Sequence, residues 1–343
     1  MRSIKVFFAF FLFSFVLTNA QTVIGKYGGE FLAIGVSGRA LGMGGAHVAV
    51  ANDVTAGYYN PAALARINFP QVSLMHEEHF GQLVNYNYGA VAIPFGTDMS
   101  FGVSIIRLSV DGIPDSRNAL YDSNGDGILD IHTDRLDYSK ITEYNNTDWA
   151  FFFTFAKRQT EKFYWGANLK VIRRDLAEFG ATGIGFDVGG FYQVDENLSL
   201  GINIQDATTT LVAWSTGRNE LITPTIKVGG AYLFEALGGY FQPALDLDLR
   251  FENRAYASMF HVGPVSFDPH IGMEYNYKNV VAVRAGYSDV KQFTIGAGIK
   301  LPKLTIDYSY AKVGQSAIES LPESHRISLM LSLDDPKFKR DGL

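Results

Sequence analysis

An acidic stretch between residues 122 and 134 has the residue types and the spacing of a calcium-binding loop. Oxygen-bearing side chains stand at alternate positions, and glycines stand where the chain must turn sharply. Calcium prefers such carboxylate, amide and carbonyl oxygens. The predicted ligands are the side chains of Asp122, Asn124, Asp126 and Asp130 and the backbone carbonyl of Ile128.

Two interpretations of this stretch stay open. The bidentate glutamate expected at the twelfth loop position is replaced by Thr133, with Asp134 next to it. The surrounding residues 111–146 hold eight acidic and three basic side chains, so a divalent ion would relieve their repulsion. The stretch is therefore either a weak external calcium site in 122–134 or an acidic loop solvated by water. No other cofactor is expected.

Other groups that could carry chemistry are weaker. The sequence His76-Glu77-Glu78-His79 lacks the i, i+4 histidine spacing of a zinc protease, which favours a polar rim. Gly42-Met43-Gly44-Gly45 lacks the spacing and the lysine of a phosphate-binding loop. With no cysteine in the chain, thiolate metal sites and thiol nucleophiles are excluded. We therefore expect no enzyme, with a barrel hydrolase as the third hypothesis, which a lipase or protease assay would detect.

Polar and apolar residues alternate along much of the second half of the chain. In one example Leu245, Leu247 and Leu249 alternate with Asp246, Asp248 and Arg250. Because successive side chains of a strand point to opposite faces, each segment has one apolar and one polar face. A soluble sandwich rarely places so many charges and glycines on one face and so many aromatic rings on the other. The pattern predicts an all-β fold, a transmembrane antiparallel β-barrel.

Fourteen segments fit this pattern, an even number as in bacterial single-chain barrels. Each has about the ten residues that a tilted strand needs to cross the hydrocarbon layer. The segments are 71–79, 84–94, 98–110, 147–157, 162–174, 181–194, 197–205, 225–235, 241–251, 266–277, 279–288, 291–300, 303–312 and 325–333. Short links such as 195–196 alternate with long ones such as 111–146, 206–224 and 313–324, which predicts periplasmic turns and external loops.

The parity of each strand predicts which side chains face inward. Charges of both signs on the inner face favour a cross-strand network that fills a narrow barrel over an ion-selective pore. The predicted interior residues are Lys170, Asp187, Asp246, Asp248, Arg250, Arg284 and Asp307. The predicted lipid-facing residues are Trp165, Leu169, Phe186, Leu200, Ile202, Leu247, Val283 and Ile295.

The first residues predict export. Arg2 and Lys5 precede an apolar run from Val6 to Leu17, and small residues follow, so we expect a signal peptide cleaved after Ala20. The run is shorter than the roughly 20 residues of a membrane anchor helix.

The net charge of -6 and the lack of a basic run argue against nucleic acid as a partner. We expect a monomeric barrel in bacterial outer-membrane lipid, reached through the Sec pathway.

A glycine-rich segment precedes the predicted strands. Residues 38–46 read Gly-Arg-Ala-Leu-Gly-Met-Gly-Gly-Ala, and Asp53, Ala56 and the sequence Tyr59-Asn60-Pro61-Ala62 follow. Over about forty residues this resembles the N-terminal signature of FadL-like (TodX-type) outer-membrane proteins, and more closely the PorV/PorQ branch. The resemblance implies a plug or hatch inside the barrel. It implies gate-related roles for Arg39, Met43, Asp53, Asn60 and Pro61, with plain structural packing of the plug against the wall as the favoured alternative for each of them.

The resemblance implies two functions. PorV-type members are carriers of cargo proteins linked to type IX secretion, which is the favoured expectation. FadL-type members are passive importers of hydrophobic small molecules that leave through a break in the wall, which is the alternative. The expected organisation is a signal peptide (1–20), a plug (21–68), the barrel (69–334) and a periplasmic tail (335–343). That tail is a departure, because outer-membrane barrels usually end on an aromatic residue.

Overall fold

The computed structural model describes residues 22–24, 28–79, 83–254, 258–288, 292–313 and 323–340. The predicted signal peptide and its cleavage after Ala20 lie outside these residues. Most of the predicted external loop 313–324 lies outside them too.

Fourteen strands form one closed antiparallel wall, as the sequence predicts. Each strand pairs with the next in the chain, and the last pairs with the first, with Gln71 opposite Ser332. The strands are β1 Gln71–His79, β2 Val84–Phe95, β3 Met99–Asp115, β4 Thr142–Arg158, β5 Phe163–Leu176, β6 Phe179–Gln193, β7 Leu198–Gln205, β8 Thr225–Tyr232, β9 Gly239–Arg250, β10 Val265–Tyr277, β11 Val281–Tyr287, β12 Gln292–Lys300, β13 Leu304–Val313 and β14 Ser324–Ser332. Among the described residues every neighbouring pair of strands is hydrogen-bonded, so the wall shows no break there.

The remaining elements are short. The short strands are Thr22–Ile24, Leu120–Tyr121, Arg135–Leu136, Thr210–Trp214, Asn219–Ile222, Phe234–Ala236 and Phe260–Val262. The α-helices are α1 Glu30–Ala33, α2 Gly38–Gly42 and α3 Ala56–Tyr59, and the 3-10 helices are Pro61–Arg66, Tyr138–Lys140 and Pro336–Phe338. None of the helices in the described part of the chain is long and apolar enough to cross a membrane.

Two predicted loops contain strand structure, which corrects the predicted boundaries. β3 extends to Asp115 and β4 begins at Thr142, inside the predicted loop 111–146. Their register shifts between Val110 and Ile113, at a bulge that includes Gly112 with φ +69°. The predicted loop 206–224 contains a hairpin, and the first strand of this hairpin pairs with β6. Alternation does not reveal these parts because strands that project into water need no apolar face.

The outer face of the barrel is apolar. Seven of the predicted lipid-facing side chains are exposed on it, and Leu247 is half-buried. Near the short turns, aromatic rings follow one another around the wall. The ring centroids of Phe101 and Phe155 are 5.4 Å apart, and those of Phe155 and Trp165 are 5.5 Å apart. Such apolar bands and aromatic girdles are typical of outer-membrane barrels.

The inner face is divided into two unlike halves. β1 to β6 provide most of its buried apolar side chains, and β9 to β14 provide most of its charges. The apolar wall consists of Met75, Tyr86, Tyr88, Ile106, Phe152, Ile172 and Phe191. The charged wall consists of Asp246, Asp248, Arg250, Asp268, Glu274, Arg284, Asp307 and Arg326. The sequence analysis expected a charged interior and missed the apolar wall.

Candidate functional site

The N-terminal segment, residues 28–68, lies between the apolar wall and the charged wall. Its tyrosines face the apolar wall, where the rings of Tyr58 and Phe152 are 6.2 Å apart in an edge contact. The hydroxyl groups of these tyrosines bind back to the segment, since Tyr58 donates to the Leu32 carbonyl and Tyr59 to the Val36 carbonyl (2.8 Å). Apolar ring surface therefore meets the wall while each buried hydroxyl stays hydrogen-bonded.

Glycines of the wall let the backbone of the segment approach closely. Gly272, Gly286 and Gly296 face Met43, Gly44 and Gly42, so a Cβ on Gly286 would overlap the backbone of Met43 and Gly44. Gly44 itself has φ +66°, and a Cβ there would lie 2.6 Å from the backbone nitrogen of Tyr287. The glycine-rich signature therefore serves backbone packing against the wall.

Arg39 joins the segment to the charged wall. Its guanidinium makes two 3.0 Å hydrogen bonds to the Glu274 carboxylate, one from Nε and one from Nη2. Nη1 donates to Asn52 Oδ1 at 2.7 Å. Glu274 also accepts from Arg284 Nε at 2.6 Å, and Arg284 donates to Asp307 at 2.7 Å. This bidentate, charge-assisted network fixes the orientation of the segment.

The other predicted gate positions also lie at packing contacts of the segment. Asp53 caps the turn before α3, because its Oδ1 accepts from the Thr55 backbone nitrogen at 2.9 Å. The Asn60 amide nitrogen donates to the carbonyls of Val48 and Gly190, both at 3.0 Å. Pro61 lies against Gly166 and Gly189 of the wall. Met43 is completely buried.

The predicted interior residues are distributed over separate ion-pair clusters. Lys170 lies 3.1 Å from Asp187 and 2.6 Å from Asp206, and Asp206 lies in the turn after β7. Asp248 pairs with Lys227 and lies 3.9 Å from Arg250. The carboxylate of Asp246 accepts from the backbone nitrogens of His47 (2.6 Å) and Val48 (2.8 Å). Arg284 and Asp307 belong to the Arg39 network.

Sequence reasoning missed two charged pairs that join neighbouring strands of the wall. Arg326 on β14 donates to Glu77 on β1 at 2.5 Å, across the seam between the last and the first strand. Arg174 makes a two-point contact with Asp148, at 2.9 and 3.1 Å. Arg326 and Ile327 are neighbours in β14, so parity places them on opposite faces, with Arg326 inside. The strand pattern could therefore have identified Arg326 as an interior residue.

Two cavities lie at opposite ends of the N-terminal segment. Because the sequence predicts that the short turns face the periplasm, we call the cavity beside them the periplasmic vestibule and the cavity at the other end the external pocket. The vestibule measures about 490 Å³ and is lined by Arg39, Asn68, Gln71, Asn276, Lys300 and Asp334 among others. The external pocket measures about 40 Å³ and is lined by Glu30, Tyr58, Phe152, Lys170, Ile222 and Arg250 among others. The vestibule is mostly polar, whereas the external pocket reaches the apolar wall.

The acidic stretch 122–134 folds into tight turns. The Asp122 carboxylate accepts from the backbone nitrogens of Gly125 (2.6 Å) and Gly127 (2.8 Å), and Asp126 accepts from Ile128 (2.8 Å). Backbone N–H groups of Asp130 and Ser123 also bind Asp134 and lower the pKa of its carboxyl. Asn124 and Asp130 accept similar bonds. Across the described residues, no three His, Cys, Asp or Glu side chains are arranged to hold a metal ion.

Calcium binding by 122–134 therefore stays a prediction. If it occurs, added calcium should raise the melting temperature or slow proteolysis of the loop, because a ligand that binds only the ordered loop stabilises it. Asp126→Ala should abolish the effect. Magnesium is the control ion, since its rigid octahedral geometry suits such a loop poorly. Identical melting and proteolysis with and without calcium would reject the prediction.

No family model matches the chain, and no curated protein matches its sequence. Solved structures do match. The toluene transporter TbuX of Ralstonia pickettii is 13% identical, with 87% of this chain and 97% of that chain covered and a TM-score of 0.55. The toluene transporter TodX of Pseudomonas putida is 14% identical (87% and 97%, TM-score 0.53). A FadL homologue of Pseudomonas aeruginosa is 12% identical (85% and 97%, TM-score 0.52).

This similarity shows a shared fold. The similar structures are FadL-type transporters and channels, which agrees with the FadL-like part of the sequence resemblance. The PorV/PorQ assignment has no support among the comparisons. Nor does any of them support the expected link to type IX secretion, which was the favoured expectation from the sequence.

Proposed function

We propose that this protein is a passive importer of hydrophobic small molecules in the bacterial outer membrane. The apolar wall is the observation that carries the proposal. The interior of such barrels is ordinarily polar, yet here Tyr86, Phe152 and Ile172 are buried inside it. Binding sites for small molecules are mostly apolar with a few polar groups. The similar structures named as toluene and monoaromatic hydrocarbon channels support the same class of ligand.

The N-terminal segment would act as the plug of this route. A hydrophobic molecule would enter at the external pocket, where Tyr58 and Phe152 lie together, and follow the apolar wall. The segment packs directly on that wall, so passage requires the segment to shift. The Arg39 network and the glycine contacts hold its opposite side. The periplasmic vestibule would receive the molecule after it passes the segment.

Uptake of a labelled hydrophobic compound tests the proposal. Cells that lack their own hydrocarbon channels should take up toluene or a long-chain fatty acid faster when they express this protein. Phe152→Asn should reduce the added uptake by about tenfold, because a buried amide without a partner costs roughly 1 to 3 kcal/mol. Phe152→Leu is the matched control and should keep most of the uptake. Uptake equal to that of cells without the protein would contradict the proposal.

Capture of the protein from the cells that naturally produce it tests the secretion-linked alternative. The protein can be captured with its bound components from its own membranes. Recovery of secreted proteins with a shared C-terminal domain, together with no uptake, would replace the importer with a cargo carrier. A co-purified hydrophobic compound would support the importer.

A further inference from the structure

The C-terminal tail, residues 333–340, crosses the periplasmic end of the barrel. It begins after β14, where the Leu333 backbone nitrogen donates to the Pro70 carbonyl at 2.9 Å. A 3-10 helix, Pro336–Phe338, follows, with its first turn capped by Asp335. The Arg340 backbone nitrogen then donates to the Asn68 carbonyl at 2.9 Å. The tail therefore runs along the junction, residues 67–70, where the N-terminal segment passes into β1.

Arg340 is the anchor of the tail. Only 4% of this residue is exposed, although the residues just before it are exposed. Its guanidinium donates to the Ile67 carbonyl from Nε (3.2 Å) and Nη2 (2.9 Å). Nη1 donates to the Met99 carbonyl at 2.9 Å, and Nη2 to Ser100 Oγ at 2.6 Å. One side chain thus joins the junction to the start of β3.

These acceptors are unusual for a buried guanidinium. Within the described part of the chain, no carboxylate oxygen lies within ion-pair distance of Arg340. Burying a charge is costly unless its donors are satisfied, and here neutral backbone oxygens and one hydroxyl satisfy them. The planar fork of arginine can reach acceptors on two chain segments together, whereas a lysine ammonium cannot match that geometry.

The junction is also tied to the body of the segment. Gln71 Oε1 accepts from the Val54 backbone nitrogen at 2.8 Å, and Arg66 donates to the Ala51 carbonyl at 2.8 Å. Movement of residues 67–70 would therefore be passed to the part of the segment beside the periplasmic vestibule. A different part of the segment, at Met43, is held separately by the wall glycines.

We propose that the C-terminal tail is a clasp and that Arg340 is the positioning residue that keeps the periplasmic end of the N-terminal segment closed. Release of Arg340 frees the junction and opens that end of the segment locally, while the contacts around Met43 persist. The clasp does not depend on what the barrel transports.

Engineered thiols can test the clasp because the chain has no cysteine. Ala65→Cys places a buried thiol beside the junction, and Met43→Cys places one at the separate contact with the wall glycines. Each is combined with Arg340→Ala, and labelling by a water-soluble maleimide is followed in the folded barrel. We expect the Ala65→Cys thiol to react about tenfold faster after Arg340→Ala, since the lost bonds are charge-assisted, and the Met43→Cys thiol to keep its rate.

Two further variants serve as controls. Lys339→Ala removes the same charge one position earlier from an exposed side chain and should leave both rates unchanged. Arg340→Lys keeps the charge, loses the fork and should still speed labelling at Ala65→Cys, which covers the case in which Arg340→Ala does not fold. Unchanged labelling at Ala65→Cys in both Arg340 variants would overturn the clasp. Equal acceleration at both thiols would indicate general loosening and would also overturn it.

Discussion

Gly286→Val should expel the N-terminal segment and open the barrel to ions. Gly286 lies on the inner face of β11, opposite Gly272, and any Cβ there overlaps the backbone of Met43 and Gly44. Backbone cannot move aside as the end of a flexible side chain can, so the segment must leave its seat. The expected result is an ion conductance in planar bilayers on the order of tenfold above that of the unmodified protein.

Gly230→Val is the matched control. Gly230 points to the outer face, because its pairing partners Leu200 and Leu245 are exposed there. Its added methyl groups would lie beside Leu200 in lipid and should leave the conductance low. If Gly286→Val folded, shifted on heating like the unmodified barrel and yet conducted no better, the close seating of the segment on the wall would be wrong.

Glu274→Gln should be the most destabilising change within the Arg39 network. The carboxylate is buried and binds two guanidinium groups, those of Arg39 and Arg284. Removing its charge leaves Arg39 without its bidentate partner, with Asp53 3.5 Å away as its remaining close carboxylate. Breaking a buried ion pair by removing one partner costs about 3 to 5 kcal/mol. Urea titration in lipid should show this loss in the free energy of unfolding.

Two comparisons identify the origin of that loss. Arg39→Gln combined with Glu274→Gln should be less destabilising than the sum of the single changes, because contacting residues are not additive. Lys157→Ala breaks a half-exposed pair with Asp98, at 3.6 Å, and should cost under about 1 kcal/mol. Strict additivity of the two network changes would show that the Arg39–Glu274 contact does not hold the segment.

The strand pattern was the part of the fold most accessible from the sequence. Segments such as 71–79 and 291–300 agree with β1 and β12 to within a residue, because each strand has one face in lipid and one inside. The pattern was weakest at β4, where Ala150 to Phe153 are apolar at every position. This part of β4 is apolar on both faces because Phe152 belongs to the buried apolar wall inside the barrel while Phe153 faces lipid.

Neither the partners of the interior charges nor the path of the tail followed from parity. Parity assigns Lys170 to the inner face, but its pairing with Asp206 depends on the turn after β7, which alternation does not reveal. The sequence also did not show the partners of the carboxylates in 122–134, which accept hydrogen bonds from backbone N–H groups. In the sequence, Arg340 does not differ from the other basic residues of the charged tail. Only the fold shows that it binds the carbonyls of Ile67 and Met99.

The sequence by itself determined the antiparallel barrel, its fourteen strands and the glycine-rich character of the segment before them. It could do so because strand faces and backbone freedom are local properties, repeated every second residue or confined to single positions. Only the tertiary structure decided that the lumen has an apolar and a charged wall, that the segment lies between them and that the tail closes over the junction. Those features depend on contacts between residues far apart in the chain, such as Arg39 with Glu274 and Arg340 with Ile67.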